Sequence, residues 1–539
     1  MDKDIISSHI FVFPFRWDVI KDKDCLNTCI DSRLDVERFI EYLRDEWEYD
    51  SNTSSIKNNE EVKNYADYNT CAYFYDNVKE AIYGKKDCIQ IDNKSITIRN
   101  KKNTRFYLGK VFNKKISNKI VRCLNYKNVN GIYEIEIQKK NKDEKIINYK
   151  YNLKINSIKL KVYDTGVAAL SYFLENSEYK DKEDILRIND YGRRIYPQYL
   201  PLENVRNSFL AKKLSLKFQN ESIEEDFIFD SKRCPSKISR TIMNILGERF
   251  KYTGKELKED CFSKEENILI NPIIDDRMFV ICYYNSNFYS RALTNYSTDE
   301  YLENDFWYQY LFIDNGGATC QDEKMKKELL EKSTYARWKN YGTLFGISRY
   351  SFVLICDESS FSKNILFHHI NTIYYEMIVL ALIQRASILR FSDETSRIAV
   401  LENKDKHIYR KIKKLQEHYI RFVNTIYFRE VTAQEQGIEL YDKLIEFMRI
   451  EKEVKELDEE IDEIQRYITL ESSEKTNELL NIVTFVGIGI SVMSLIATVF
   501  SNREKIESRK WLFMWQLIPF TGTFILIKAL KKYINNWLK

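Results

Sequence analysis

TFVGIGISVMSLIATVFSN, residues 484–502, holds no charged side chain. Whether it lies in a bilayer decides the fold. Most of it falls in the 22 uncharged residues 479–500. At about 1.5 Å per residue, a helix of that length crosses a hydrocarbon core of roughly 30 Å. A second uncharged run, 511–527, has 17 residues. Ala529 and Leu530 extend it, and Lys528 can snorkel to the interface. Trp511, Trp515, Tyr533 and Trp537 stand near its ends, where aromatic belts form. The pattern predicts two transmembrane helices, 479–500 and 511–530, joined by the tight loop SNREKIESRK (501–510).

One face of the first run differs from the rest. Thr484, Ser491 and Thr498 recur every seven residues, and Gly487, Ser494 and Ser501 recur beside them. On a helix they form one narrow stripe. Three readings compete. Small residues let helices pack closely in lipid. Hydroxyls can be satisfied by their own backbone. Or the stripe lines a wet pore built from several copies, with Thr484, Gly487, Ser491, Ser494, Thr498 and Asn502 along the conduit.

Upstream, Ile450, Val454, Leu457, Ile461, Ile464 and Ile468 keep a 4-3-4-3-4 spacing. That is a coiled-coil seam in phase with the membrane run, and it would bring copies of the stripe around one axis. Acids lie between the seam positions. They read either as a solvated face paired with the preceding basic helix (Lys404 to Arg421), or as a carboxylate ring that attracts cations. On the second reading Asp458, Glu459, Asp462 and Glu463 are candidate metal ligands. Further back, NILFHHINTIYYEMIVLALIQRASILRF (364–391) is helical in period. Its apolar run of seven residues, 377–383, is too short to span a bilayer and reads as a buried helix. The adjacent His368 and His369 point to different helix faces and read as structural.

The first 360 or so residues mix strand-like and helix-like stretches. HIFVFPF (9–15), KSITIRN (94–100), GIYEIEI (131–137), RMFVICYY (277–284) and SFVLIC (351–356) read as strands. GVAALSYFLEN (166–176) and SKISRTIMNIL (236–246) read as helices. Residues 51–64 read as a loop, and KKNKDEK (139–145) as a hairpin tip. The fold class expected is an α/β cytoplasmic domain, then a long α-helical stalk, then a two-helix transmembrane hairpin. In residues this is a sensor domain at 1–360, a helical region with the stalk at 361–478, the first span at 479–500, an extracytoplasmic loop at 501–510, the second span at 511–530 and a basic tail at 531–539.

Lys plus Arg (84) nearly balances Asp plus Glu (80), a net charge of +4 over 539 residues. That gives no nucleic-acid signal. The ten cysteines form no CxxC pair and read as reduced. With no signal peptide expected, the large domain belongs in the cytosol. Both termini are then cytoplasmic, and the protein is multi-pass in the inner (plasma) membrane.

Two stretches could hold an anionic ligand. NDYGRRIY (189–196) offers Asn189, Asp190, Tyr191, Arg193 and Arg194 around Gly192. ARWKNYGTLFGISRYS (336–351) offers Arg337, Trp338, Lys339 and Arg349, with Gly342 and Gly346 allowing backbone amides near a phosphate. No catalytic constellation is present in the sequence, so no enzyme activity is expected.

The architecture resembles the CorA family of divalent-cation channels: a soluble α/β domain, a long helix leading into the first span, a tight hairpin and a short basic tail. ALKKYINNWLK (529–539) is similar to that family's tail ending in Trp-Leu. The resemblance covers the C-terminal third best. It implies a first span that lines the pore, a pentamer, cytosolic termini, and Mg²⁺ or another divalent cation as permeant or regulatory ion. The family's Gly-Met-Asn signature is replaced by VFSNREK (499–505), which keeps Asn502 but places Arg503 and Lys505 at the mouth. HIFVFPFRW, YDTGVAALSYFLEN and INDYGRRIYPQYL further resemble the divergent CorA-like effectors found beside type III CRISPR systems. That resemblance implies antiviral defence and gating by a nucleotide second messenger, SAM–AMP. The expected function is thus a ligand-gated channel. The alternatives are a constitutive Mg²⁺ transporter and a membrane-anchored interaction protein without a pore.

Overall fold

The computed structural model describes residues 4–21, 29–50, 65–84, 120–127, 129–140, 145–196, 210–227, 238–252, 266–295, 298–400 and 408–501. The expected loop at 51–64, the strand at 94–100, Asn502 and the second span lie outside the described residues. The chain divides into two units: Met1–Glu394 with Lys414–Leu457, and Thr395–Lys413 with Asp458–Lys539.

The first unit is a mixed α/β sheet domain followed by helices. Its strands are β1 (Ser7–Ile20), β2 (Trp47–Tyr49), β3 (Val121–Tyr126), β4 (Gly131–Lys140), β5 (Ile146–Tyr163), β6 (Val167–Asn176) and β7 (Lys213–Lys217). They continue with β8 (Ser222–Asp226), β9 (Phe250–Tyr252), β10 (Asn267–Pro272), β11 (Phe279–Asn285), β12 (Thr334–Tyr335), β13 (Leu344–Ile347) and β14 (Ser351–Cys356). One sheet holds them all, with the main order β12-β13-β14-β11-β1-β6-β5-β4-β7-β8. The pairs β9–β10 and β11–β14 are parallel, and the other ladders are antiparallel.

β1 is the centre. It pairs with β6 along one edge, and along the other with β11 and then β10. Pro14 falls where the second edge changes neighbours, between Val12 opposite Phe279 and Phe15 opposite Pro272, so its missing amide breaks no ladder there. Phe11, Phe13, Phe15, Trp17 and Val19 enter the aromatic core on one face. The alternate residues Ser8, Arg16 and Asp18 meet helical residues on the other. This is the period of two acting on a strand covered on both faces.

GVAALSYFLEN corrects the sequence reading: it is strand β6, not a helix. Ala168, Ala169 and Leu170 favour helix when taken alone. Here the segment is hydrogen-bonded along both edges and nearly all buried, so no alternation marks it as a strand. The turn before it carried the missed signal. Gly166 adopts φ +79°, and its amide donates to Tyr163, closing the β5–β6 hairpin.

The run Ser362–Ala399 is the one helix among the described residues long and apolar enough to cross a membrane, yet 89% of its apolar window is buried in the protein. It consists of a π turn, a short helix Phe367–Asn371 and the core helix Ile373–Val400. Its polar side chains explain its place. Arg390 donates to Asp18 (2.7 Å) and to the carbonyls of Trp17 and Gly166 (2.8 Å each). Arg33 bridges Asp18 (2.8 Å) and Glu394 (2.6 Å). Glu376 pairs with Lys161, Tyr375 donates to Ser171 (3.1 Å), and Thr165 bonds Ser387 (3.0 Å).

The basic helix Ile408–Thr425 is present, and two of its cations have partners in the sheet domain. Lys414 pairs with Asp31 (3.0 Å) and Arg421 with Asp164 (2.6 Å). Helix Glu435–Phe447 follows. Arg449 then takes a left-handed φ of 55°, and the long helix Ile450–Ser501 begins. Ile450, Val454 and Leu457 are buried in the first unit, so the opening turns of the seam serve packing within the chain. In the second unit Asp458, Glu459, Asp462 and Glu463 are exposed. So are Leu480, Phe485, Ile488 and Leu495.

Asp18→Asn keeps the shape but leaves the buried guanidiniums of Arg33 and Arg390 without their shared charge. It is expected to reduce stability by about 3–5 kcal/mol in urea unfolding. Arg38→Gln, at an exposed pair with Glu41 (3.2 Å), is expected to leave it nearly unchanged.

Candidate functional site

NDYGRRIY ends the helix Lys182–Gly192, and its polar groups are buried. Asp190 accepts from Arg194 (3.0 Å) and Asn315 (2.7 Å). Arg193 donates to the carbonyl of Ile313 (3.2 Å), and burial draws its pKa down to about 10. A Cβ on Gly192 would stand 2.7 Å from the Phe11 ring, so this glycine serves close packing rather than an open turn. The Tyr191 ring lies under Lys139. Asn189 accepts from His9 Nδ1 (2.7 Å), while His9 Nε2 meets the Ser7 hydroxyl (2.9 Å). Each of these side chains thus has an internal partner, while Arg193 Nε and Nη1 and Asn189 Nδ2 are buried without a hydrogen bond among the described residues.

The second stretch divides. Arg337 is clamped by Glu435 and Glu439 (2.7 Å each). Lys339 pairs with Asp299 and donates to the carbonyl of Thr298 (2.7 Å each). Gly346 lies in β13, where a Cβ would meet Leu311 and Val353 at 2.8 Å; its role is packing. Arg349 sits in the turn between β13 and β14. Trp338 and Gly342, however, border a cavity of about 920 Å³. Gly342 has φ +70°, and its carbonyl accepts from Ser290 (2.6 Å); a Cβ there would stand 2.9 Å from that hydroxyl. No larger residue fits this corner without a shift.

Aromatic groups surround the cavity. Tyr341 is 74% exposed and Phe361 59%. The Trp338 and Tyr341 rings are 6.1 Å apart. Tyr374 is buried in the wall, its hydroxyl accepting from Gln436 (2.8 Å). His369 borders the same space, and burial followed by the neighbouring His368 holds its pKa below the usual value. Asp357 is fixed by hydroxyls of Ser359 (2.7 Å) and Ser362 (2.6 Å). Arg291 lines the cavity and is exposed, with no ion pair among the described residues. Flat aromatic faces, amides and a guanidinium without an ion pair among the described residues suit a planar ring that carries an anionic group. Arg291, Tyr341, Phe361 and Tyr374 were not singled out in the sequence. Tyr341 alone had a signal, its place inside the quoted stretch.

Among the described residues no group of three His, Cys, Asp or Glu side chains is placed to hold a metal ion, the stalk carboxylates included. In the stripe, Thr484, Ser491 and Thr498 donate to the carbonyls of Leu480 (2.7 Å), Gly487 (2.8 Å) and Ser494 (2.8 Å). The hydroxyl protons are therefore satisfied by the helix's own backbone. Each oxygen keeps lone pairs that can accept.

Set against known proteins, the chain matches no family model, and no curated protein matches it.

Full burial draws the His9 pKa down to about 4, so its neutral form is the native one. The unfolded chain binds a proton near pH 6.5 and the folded chain does not. Stability is therefore complete above that value and falls as pH drops toward about 4. The loss reaches about 3 kcal/mol. Urea unfolding across this range is expected to show the slope in the wild type and to lose it in His9→Gln.

Proposed function

We propose that the protein is an oligomeric membrane ion channel of CorA type, gated by a small ligand bound in the sheet domain. One observation supports the membrane part above all. Leu480, Ile482, Val483, Phe485, Ile488, Ile490, Val492 and Leu495 leave large apolar surface exposed around most of the long helix. A helix with so wide an apolar surface belongs in lipid or in a protein core. On the side where Thr484, Ser491 and Thr498 align, acceptor oxygens and glycines interrupt that surface, as a water-facing wall requires. The remainder of the hairpin, Asn502 at the mouth, a pentameric ring, cytosolic termini in the inner membrane, and Mg²⁺ or another divalent cation as permeant ion complete the proposal.

The ligand is proposed to be a nucleotide second messenger, SAM–AMP, acting in type III CRISPR defence. The cavity beside Trp338 is its site, in preference to NDYGRRIY. Stacking on Trp338 or Tyr341 and an ion pair with Arg291 fit a base and a phosphate. A ligand gates only if open and closed states bind it differently.

Reconstituted into liposomes, the protein is expected to conduct ions when SAM–AMP is added. Replacing Thr484, Ser491 and Thr498 together by Leu is expected to abolish the flux. Unchanged flux, or a monomer without conductance, would leave only a membrane-anchored module. By calorimetry, Arg291→Ala is expected to weaken SAM–AMP binding about tenfold, whereas Arg349→Ala should leave it unaltered.

A further inference from the structure

We infer that Arg385, Glu453 and Arg449 form the joint through which occupancy of the cavity reaches the long helix. The inference rests on the reading of that cavity as a regulatory site. Two arms leave the cavity and meet at the same helical turn.

The first arm is the core helix. Tyr374 lines the cavity near its start. Three turns further on, roughly 16 Å along the axis, Arg385 pairs with Glu453. Both side chains are largely shielded from solvent. The pair is a close ion contact and not a hydrogen-bonded fork: neither Arg385 Nε nor Nη1 has a hydrogen-bond partner among the described residues. A guanidinium held by charge alone has a weaker preference for one geometry than a bidentate pair.

The second arm is the helix Glu435–Phe447. Gln436 in its first turn lines the cavity and donates to the Tyr374 hydroxyl. Arg337, next to Trp338, clamps Glu435 and Glu439 of the same turns. Gln384, the neighbour of Arg385, donates to Tyr441 (2.9 Å) midway along it. The helix then stops, and Arg449 turns the chain with φ 55°. Its carbonyl accepts from Glu453 N (3.0 Å), the first bond of the long helix. A non-glycine residue in the left-handed region persists only while its surroundings hold it. Glu453 therefore receives both arms, one through its side chain and one through its backbone. A ligand that moves Tyr374 or Gln436 changes the support of residues 450–457, and this same helix continues to Ser501.

Hydrogen–deuterium exchange on the full chain in detergent tests the joint, with SAM–AMP as probe. In the wild type, SAM–AMP is expected to shift exchange of residues 446–457 about fivefold. Arg385→Gln should remove that shift while calorimetric affinity stays within about twofold. The swap of Arg385→Glu with Glu453→Arg should restore it. Should Arg385→Gln not fold, Arg449→Gly, which accommodates the same φ, is expected to blunt the shift. Asn295→Trp fills part of the cavity without any ligand and should reproduce the wild-type shift. A shift that persists in Arg385→Gln and Arg449→Gly, or exchange at 446–457 unmoved in Asn295→Trp, overturns the inference. SAM–AMP that fails to bind counts against the nucleotide reading alone, since the Asn295→Trp arm still decides the joint.

Discussion

Asp18 is the charge on which the first unit turns. It lies fully buried in the central strand, with Arg390 and Arg33 upon it and Glu394 closing the circuit. Isolated, any of these ions would be too costly to bury. Together they are tolerated only in one geometry, and that geometry fixes the core helix across β1 and the β5–β6 turn. The apolar residues of the helix would fit many positions on the sheet; the ionic contacts select one. That set and two further pairs keep the most membrane-like helix of the first unit inside the protein, since Glu376, Arg385, Arg390 and Glu394 each have a counterion there.

The cavity is a consequence of that placement. The π turn Ser362–Leu366 and the start of the core helix form one wall, and the turn around Gly342 forms another. Most cations near it answer to carboxylates: Arg337 to helix Glu435–Phe447, Lys339 to Asp299. Arg291 lines the cavity, exposed and without an ion pair among the described residues. A site of this kind is recognised by what remains uncommitted after internal pairing, which is a property of the folded surface.

The long helix carries two chemistries along one element. Its first turns are core, with Ile450, Val454 and Leu457 buried. Its later turns expose apolar side chains around a row of hydroxyls whose protons are already donated to the backbone. Such a row offers oxygen lone pairs, and it suits water or a hydrated cation better than an anion.

Much of this was legible in the residues themselves. Strands such as HIFVFPF and SFVLIC, the helix at 364–391 as a buried element, and the apolar run from 479 follow from local periodicity and length, which every short window carries. Strand β6 did not, because burial on both faces removes alternation and leaves a helix-favouring composition. Nor did the site: Arg193 and Arg291 are both arginines in polar stretches, and one is paired in the interior while the other opens on a cavity. Side-chain type is written in the chain, whereas which charges meet, and which are left over, depends on contacts between residues hundreds of positions apart, as Asp18 with Arg390. The sequence by itself determined most of the elements and their polarity; the tertiary structure decided β6 and the pairing, because only the closed fold brings those partners within reach of one another.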